Sequence, residues 1–564
     1  MNTFHPAMAN DFVKWFTTAQ KFFSGLFLLI LATAMTGQNA SAVNYIYVNS
    51  SATGLNNGKS WANAYTSLET AIAADVDTLE IRVAGGTYKP TIQIGGIGPR
   101  YAAFKMKYGV QISGGYNADL GVQVDYSRGG ANETILSGDI GIVGDASDNC
   151  YHVVHNPETL GLNTNSRLYR LTISGGNANN KGSGTTHEFK GGGIYNGSWS
   201  NAHFRECVFS NNSAVYGGGI YFIKATLNYM PNCTFISNMA ITNGAESGNG
   251  GAVYLDSKAR IHLENCLIIN NTAGGTGGGI FVNSPTKDNA ALVNIFFCTI
   301  ANNNANFCGG VRLSGYSQGL LCSNIIWGNT QQVTTNGRQI SVSTNAITEN
   351  IPTGYLYNSS SNNTIQNNGT NDIDNMNLFS IRFGNPQFVN PANLDFRLCG
   401  TSPCVDNGSV DRCSEDKDIR QQNRCQDSLG FDNPRQIDRG AFEWTRNVDP
   451  PSKAFPFLTT QNPIDIDLKQ ATITGDLVVL GDSPVLQHGH ICVLKTNPLR
   501  TDYSTDLGPI DRTGKFTSKI TGLFYEREYL VKAYARTSDS TFYGPELSFT
   551  TTHLTMNATS VSFK

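Results

Sequence analysis

One short phrase, written five times between Leu171 and Ala305, limits what this chain can fold into. It reads LTISGGNA at 171–178, CVFSNNSA at 207–214 and CTFISNMA at 233–240. CLIINNTA at 266–273 and CTIANNNA at 298–305 follow, and a degenerate copy, NIIWGN, occupies 324–329. A second phrase alternates with it: GGGIY at 191–195 and 217–221, GGAVY at 250–254, GGGIF at 277–281 and GGVR at 309–312. A fixed phrase at a period of roughly 30 residues marks a solenoid, whose units bury their apolar sides only against their neighbours. Each apolar run is two to four residues long with period 2, so the units are made of strands, about three per turn. The Asn and Gly pairs fall where the chain must turn, since both residue types tolerate positive φ. Equivalent strands then pair in parallel, about 4.8 Å apart. The expected fold is all-β: a right-handed parallel β-helix followed by a smaller β-sandwich.

The GGG-I and F-x-x-N phrases are similar to those of pectin-lyase-like β-helix repeat proteins. They also resemble the repeats of chlamydial polymorphic outer-membrane proteins. The likeness covers roughly residues 43–330, together with the G-x-S-W-x-x-A-Y and G-G-T-Y runs near the start. It implies a fold and leaves function open, because lyases, hydrolases and adhesins share this architecture. Residues 385–446 resemble the module called choice-of-anchor Q, through P-x-F at 386–388, D-F-R-L at 395–398, S-P-C-V-D-N-G at 402–408 and D-R-G-A-F-E at 438–443. The acidic residues of this module, with the looser Asp416-Lys417-Asp418-Ile419-Arg420, are read as loop-closing hydrogen-bond acceptors in preference to a metal site.

The domain plan follows in order. Residues 1–42 read as an export signal, with Lys14 and Lys21 ahead of the apolar run Phe22–Met35 and a small-x-small site at Ala40–Ala42. Residues 43–446 form the β-helix, with an N-terminal cap at about 43–78, regular repeats at about 165–330 and a closing module at about 385–446. The cap carries a short helix around Tyr65–Ile72, started by Ser60 or Asn63, because an open solenoid end is an adhesive strand edge. A linker at 447–453 leads to residues 454–552, whose short alternating strands indicate the β-sandwich. The spacing of Leu523 and Tyr529 there resembles the tyrosine corner of fibronectin type III domains. A tail occupies 553–564.

The net charge of −3 and the low charged fraction of 15% argue against a nucleic-acid partner. The mature chain is expected to span no membrane and to be a monomer, secreted or held at the cell surface, as in the bacterial outer-membrane proteins it resembles. Cys207, Cys233, Cys266 and Cys298 share one repeat position. Their Cβ vectors run parallel from coil to coil, so they are expected to stay thiols. In the loop-rich segment, Cys399 with Cys404 and Cys413 with Cys425 are the expected bridges. Asp139, Asp145 and Asp148 are the weak candidates for a calcium site, the one cofactor considered; turn chemistry alone is the preferred explanation for them. His152 and His155 lie in a strand fragment and are read as packed or solvated.

Strand alternation turns the residue after each inward aliphatic outward. That places Tyr195, Tyr221, Tyr254, Phe281 and Arg312 in one outer row, a surface suited to a glycan if it is open. If covered by loops, it is a structural stack. No pair of carboxylates stands on neighbouring coils as a glycosidase needs. The sequence therefore points to a non-catalytic surface protein binding a glycan or another surface ligand. A polysaccharide lyase or glycoside hydrolase is the alternative, and a purely structural surface protein the third reading.

Overall fold

The computed structural model describes residues 45–74, 80–124, 132–180, 187–226, 228–331, 339–342, 359–361, 363–365, 373–374, 377–379, 385–409, 413–424, 437–444, 456–481, 484–495, 503–537 and 541–552. The export-type segment, the linker and the tail lie outside them. Between Tyr45 and Phe379 the described strands form a β-helix whose coils stack through parallel strand pairs. Each regular coil has four strands where the sequence suggests three. In one coil these are Arg260–Glu264, Leu267–Ile269, Thr272–Ala273 and Ile280–Ser284, the first to fourth stacks below. The third is only two residues long, too short to register as an apolar run, and its inward residue is the repeated alanine: Ala240, Ala273 and Ala305 are fully buried.

The repeated asparagines divide their labour. The first of each pair, Asn211, Asn270 or Asn302, turns the corner with φ near +55°, a conformation asparagine reaches more readily than most residues. The second points inward and continues a ladder of amides. Each Nδ2 donates to the Oδ1 of the next coil: Asn212 to Asn238 at 3.0 Å, Asn238 to Asn271 at 3.0 Å, Asn271 to Asn303 at 2.9 Å and Asn303 to Asn329 at 2.9 Å. The same amides donate to second-stack carbonyls such as those of Phe235 and Ile268. Their oxygens accept from corner N–H groups, as Asn271 Oδ1 does from Asn238 N–H at 2.9 Å, so the corner backbone is satisfied from inside. Beside this ladder Phe209 and Phe235 stack at 4.5 Å. Cys207, Cys233, Cys266 and Cys298 are fully buried thiols that donate to backbone carbonyls, as Cys266 does to Met230 at 3.0 Å.

The glycines ahead of each inward aliphatic turn the next corner, with φ of +67° to +71° at Gly191, Gly217, Gly250 and Gly277. The following glycine faces a different demand. A Cβ on Gly251 would stand 2.3 Å from the Gly278 carbonyl oxygen and 2.6 Å from that of Thr272, so coils approach too closely there for any side chain.

The helix Leu68–Ala73 sits at the N-terminal end, and its N-cap is Ser67, which accepts from Thr70 N–H, in place of Ser60 or Asn63. Glu69 from this helix accepts from the backbone of Thr91 and Ile92, both at 2.7 Å. The C-terminal unit pairs strands antiparallel in two sheets, Phe457–Thr460, Gln470–Val479 and Gly514–Thr521 in one, Gln487–Leu494, Glu528–Arg536, Thr541–Tyr543 and Leu547–Thr550 in the other. Tyr529 is buried and its hydroxyl accepts from Phe524 N–H at 2.8 Å, pinning the turn ahead of its own strand.

The described residues within 385–444 depart from expectation. They do not merely close the last coil but run back along the outside of the solenoid. Arg439 donates to Asn363 O, Gly440 N to Ser323 O, Ala441 N to Thr299 Oγ1, Arg424 to Asn265 Oδ1, and Glu415 accepts a two-pronged bond from Arg205 at 3.0 and 2.7 Å. The apolar reason is plain: Val208, Ile236, Leu267, Ile269 and Ala301 point outward from the second stack, and Phe396, Ala441 and Phe442 cover them.

Candidate functional site

The outer aromatic row forms in the predicted register. Tyr195 pairs with Tyr221, Tyr221 with Tyr254, Tyr254 with Phe281 and Phe281 with Arg312. Ring centroids follow each other at 5.8, 5.2 and 5.0 Å. The row is not an open strip. Tyr221 is 0%, Tyr254 5% and Phe281 6% exposed, because Tyr216 lies 5.1 Å from Tyr254 and the Lys190 ammonium sits 5.3 Å from the Tyr221 ring. Tyr216 in turn donates to Glu246, and Tyr221 donates to Asp256 at 2.6 Å. Burial, with Asp256 beside it, pushes the Tyr221 hydroxyl well above its ordinary pKa. Tyr221, Tyr254 and Phe281 are a covered stack with Tyr195 half-buried at its head, so the row offers no open strip for a glycan. Arg312 is engaged by Ser341 at 2.6 Å and by the Phe307 ring.

Asp139, Asp145 and Asp148 do not converge as a calcium site would need. Each accepts from its own loop: Asp139 from Gly144 N, Asp145 from Ser147 N and Asp148 from Ile142 N. Cys399 and Cys404 are both thiols: Cys404 is buried beside Leu398 and Ile325, while Cys399, just past the strand that ends at Leu398, is half-buried. Cys413 is disulfide-bonded, and its expected partner Cys425 lies outside the described residues.

Where the closing module meets the solenoid, a cleft of about 530 Å³ opens, within the size range of small-ligand sites. The coils contribute Arg170, Glu206, Asn232 and Thr234, and the module contributes Lys417, Arg420, Gln421 and Gln422. The corner before each repeated cysteine supplies its wall. Glu206, Asn232 and Asn265 occupy equivalent corner positions with φ of +53°, +57° and +53°. The module grips Asn265 through Arg424 at 2.7 Å and the Lys417 carbonyl at 2.8 Å. One coil earlier it leaves Asn232 alone: both polar atoms of that amide are buried with no hydrogen-bond partner, on a residue 3% exposed. The Gln421 Nε2 is buried and unpartnered as well. Among the described residues Glu206 is the one carboxylate of the lining, and Arg170 holds it at 2.7 Å.

The module's own acids are structural. Asp418 is fully buried and accepts from Arg420 N at 2.8 Å, Gln422 N at 2.9 Å and Glu443 N at 2.9 Å. Asp438 accepts from Asp406 N at 2.7 Å and from Trp444 N. Asp438 and Glu443 share the buried Arg424, which has Glu443 at 3.3 Å. Two carboxyls facing one buried cation ionise reluctantly. Burial pushes Asp438 up to about 7, and burial with Asp438 as neighbour pushes Glu443 well above its ordinary value. Across the interface, Glu264 has the opposite shift. It accepts from Ser414 N at 2.8 Å, Tyr229 Oη at 2.8 Å and Glu415 N at 3.1 Å, with His262 at 3.3 Å. Burial opposes its ionisation, but these bonds win and hold it down at about 2.

Among the described residues, one group of metal-ligating side chains gathers: His152, His155 and His187, at the N-terminal end of the aromatic row. His155 pairs directly with Tyr195, so it occupies the row's first position. Read from the sequence, the first two are packing or solvated residues. The signal available is the His-x-x-His spacing one register step before Tyr195; His187, well beyond them in a loop, is not visible there as a partner.

Neither a known family model nor a curated protein matches this chain. Among solved structures, a shorter form of the sensor domain of the anti-sigma factor RsgI4 in Pseudobacteroides cellulosolvens is 15% identical, with 18% of this chain and 98% of that chain covered and a TM-score of 0.15. A longer form of the same domain is 16% identical over 19% of this chain and 100% of that one, at a TM-score of 0.16. A structure titled "Myokine structure" is 13% identical over 18% of this chain and 100% of that one, at 0.14. Likenesses at this level leave the function to be argued from the geometry of the chain itself.

Proposed function

We propose that this chain is an exported, cell-surface β-helix protein that binds a glycan without transforming it, in the cleft between the coils and the closing module. The buried amide of Asn232 carries the reading. Leaving a buried donor and acceptor both unmet costs about 1–3 kcal/mol per group, so a polar group that reaches them is favoured by a comparable amount. Amides from Asn232 and Gln421, cations from Lys417 and Arg420, and the Thr234 hydroxyl suit the hydroxyls and carboxylates of an acidic sugar. A lone carboxylate already paired with Arg170 argues against hydrolysis, which needs two carboxyls about 5–9.5 Å apart. The resemblance of the repeats to pectin-lyase-like and chlamydial surface proteins supports the setting. So do the choice-of-anchor Q-like module, the fibronectin type III-like C-terminal unit and the signal-like segment 1–42. In this reading the protein acts as a monomer.

A glycan array with the purified protein tests the proposal. Asn232 sits at φ +57°, so Asn232→Gly removes the amide while suiting the backbone. Binding to at least one acidic glycan, weakened at least about tenfold by Asn232→Gly and by Gln421→Gly, is the expected result, as loss of one or two hydrogen bonds to a charged ligand gives. Binding that both variants leave unchanged, or no glycan bound at all, contradicts it.

A further inference from the structure

The three histidines at the head of the aromatic row carry a second inference, independent of the cleft. Their ligating atoms all lie within 4.8 Å of one another. His152 Nδ1 is 2.9 Å from the Gly191 carbonyl oxygen, and His187 Nε2 is 3.2 Å from that of Gly95. A carbonyl only accepts, so each of these nitrogens carries the ring's N–H. A neutral imidazole has one N–H to give. Its other nitrogen is then a bare lone pair, and the two bare nitrogens, His152 Nε2 and His187 Nδ1, face each other at 3.0 Å. Three hydrogen-bond links run from Gly191 to Gly95 through two rings, and two protons are available to make them. His155 adds a third ring. It is 2% exposed, its Nδ1 is buried without a hydrogen-bond partner, and the Ile94 backbone acts on it as an acceptor.

An extra proton between His152 and His187 would mend their contact and do nothing for His155 Nδ1. A metal ion takes all three lone pairs at once. With metal–nitrogen bonds of 2.0–2.1 Å, tetrahedral ligand atoms stand roughly 3.3 Å apart, close to the 3.0 Å already present between two of them. The backbone carbonyls of Gly191 and Gly95 stand where outer partners of metal-bound histidines usually stand, fixing tautomer and ring plane. The approach is tight by construction: a Cβ on Gly95 would lie 2.5 Å from His187 Nε2 and 2.6 Å from His155 Cε1. Tyr195 walls the cluster, with its ring centroid 5.2 to 5.6 Å from the three imidazoles.

We propose that His152, His155 and His187 form a binding site for a divalent late first-row transition ion of the Zn²⁺ class. Three imidazoles without carboxylate or thiolate suit zinc, cobalt, nickel or copper and disfavour the oxygen-seeking calcium and magnesium ions. Three protein ligands also leave a tetrahedral ion one position for water or another small oxygen ligand.

The test uses the whole chain, purified without a polyhistidine tag and treated with chelator, then titrated with Co²⁺ and, by competition, with Zn²⁺. The expected result is one equivalent of Co²⁺ with the visible absorption of a four- or five-coordinate nitrogen site, displaced by Zn²⁺. His155→Ala and His187→Gln should each weaken binding by about 100-fold or more. His187 is only half-buried, so His187→Gln decides the matter if His155→Ala does not fold. No bound Co²⁺ in the wild type overturns the proposal, and so does affinity that His187→Gln leaves intact.

Discussion

The regular coils and the module strapped along them solve the same problem, burying polar backbone, with opposite chemistry. In the regular coils the buried polar side chains that recur are neutral amides, repeated at one position from Asn212 to Asn329. In the module they are charged: Asp418, Arg424, Asp438 and Glu443 are nearly or wholly buried together, with Glu264 reaching across from the solenoid. A ladder of amides has no proton to gain or lose, whereas a buried carboxyl network does. The difference teaches that one region should be indifferent to pH and the other should not.

The largest effect is expected at the ladder. The Asn271 side chain makes bonds to Asn238, Phe235, Ile269 and Asn303, all at 2.9–3.0 Å. Asn271→Ala therefore strands several buried groups at once and should cost about 4 kcal/mol by denaturant titration, at roughly 1–3 kcal/mol per unmet group. Next comes the junction: Glu264→Ala removes the acceptor of Ser414, Glu415 and Tyr229 and should cost about 3 kcal/mol. Its loss should fall on the module, read as faster proteolysis within 413–424, while the coils keep their unfolding midpoint. Equal loosening of both regions would erase the distinction.

How much of this is legible in the sequence follows from distance along the chain. The coil repeat, the thiol column and the register of Tyr195, Tyr221, Tyr254 and Phe281 are readable because every relation recurs from one coil to the next. The burial of those rings is not, since Lys190, Tyr216 and Glu246 come from irregular segments between the phrases. The two-residue third strand hides in the Asn-x-Ala of four of the five copies. The docking of the described parts of 385–444 along the coils is invisible because their partners lie far off in the chain, as in Glu264 with Ser414 and Arg205 with Glu415. The cleft exists only through that docking, so Asn232 looks like one more turn residue.

The central contrast is tested most directly by hydrogen exchange followed by mass spectrometry across pH, expressed as protection factors. The signs are fixed by the shifts. Asp438, raised to about 7, and Glu443, raised also, favour their protonated forms in the folded state; the stability they add is complete below about pH 4 and is lost as pH rises through about 7. Asp406, Asp418 and Arg424 face this pair. Glu264, lowered to about 2, adds stability above about pH 4.5 that is lost as pH falls toward 2. Protection in 413–424 and 437–444 should therefore peak in mild acid, near pH 5, and fall both toward pH 8 and toward pH 2.5. Protection in 207–214, 233–240, 266–273 and 298–305 should stay level over the same range. Protection in the coils that falls in step with the module, or a module insensitive to pH, would contradict the account.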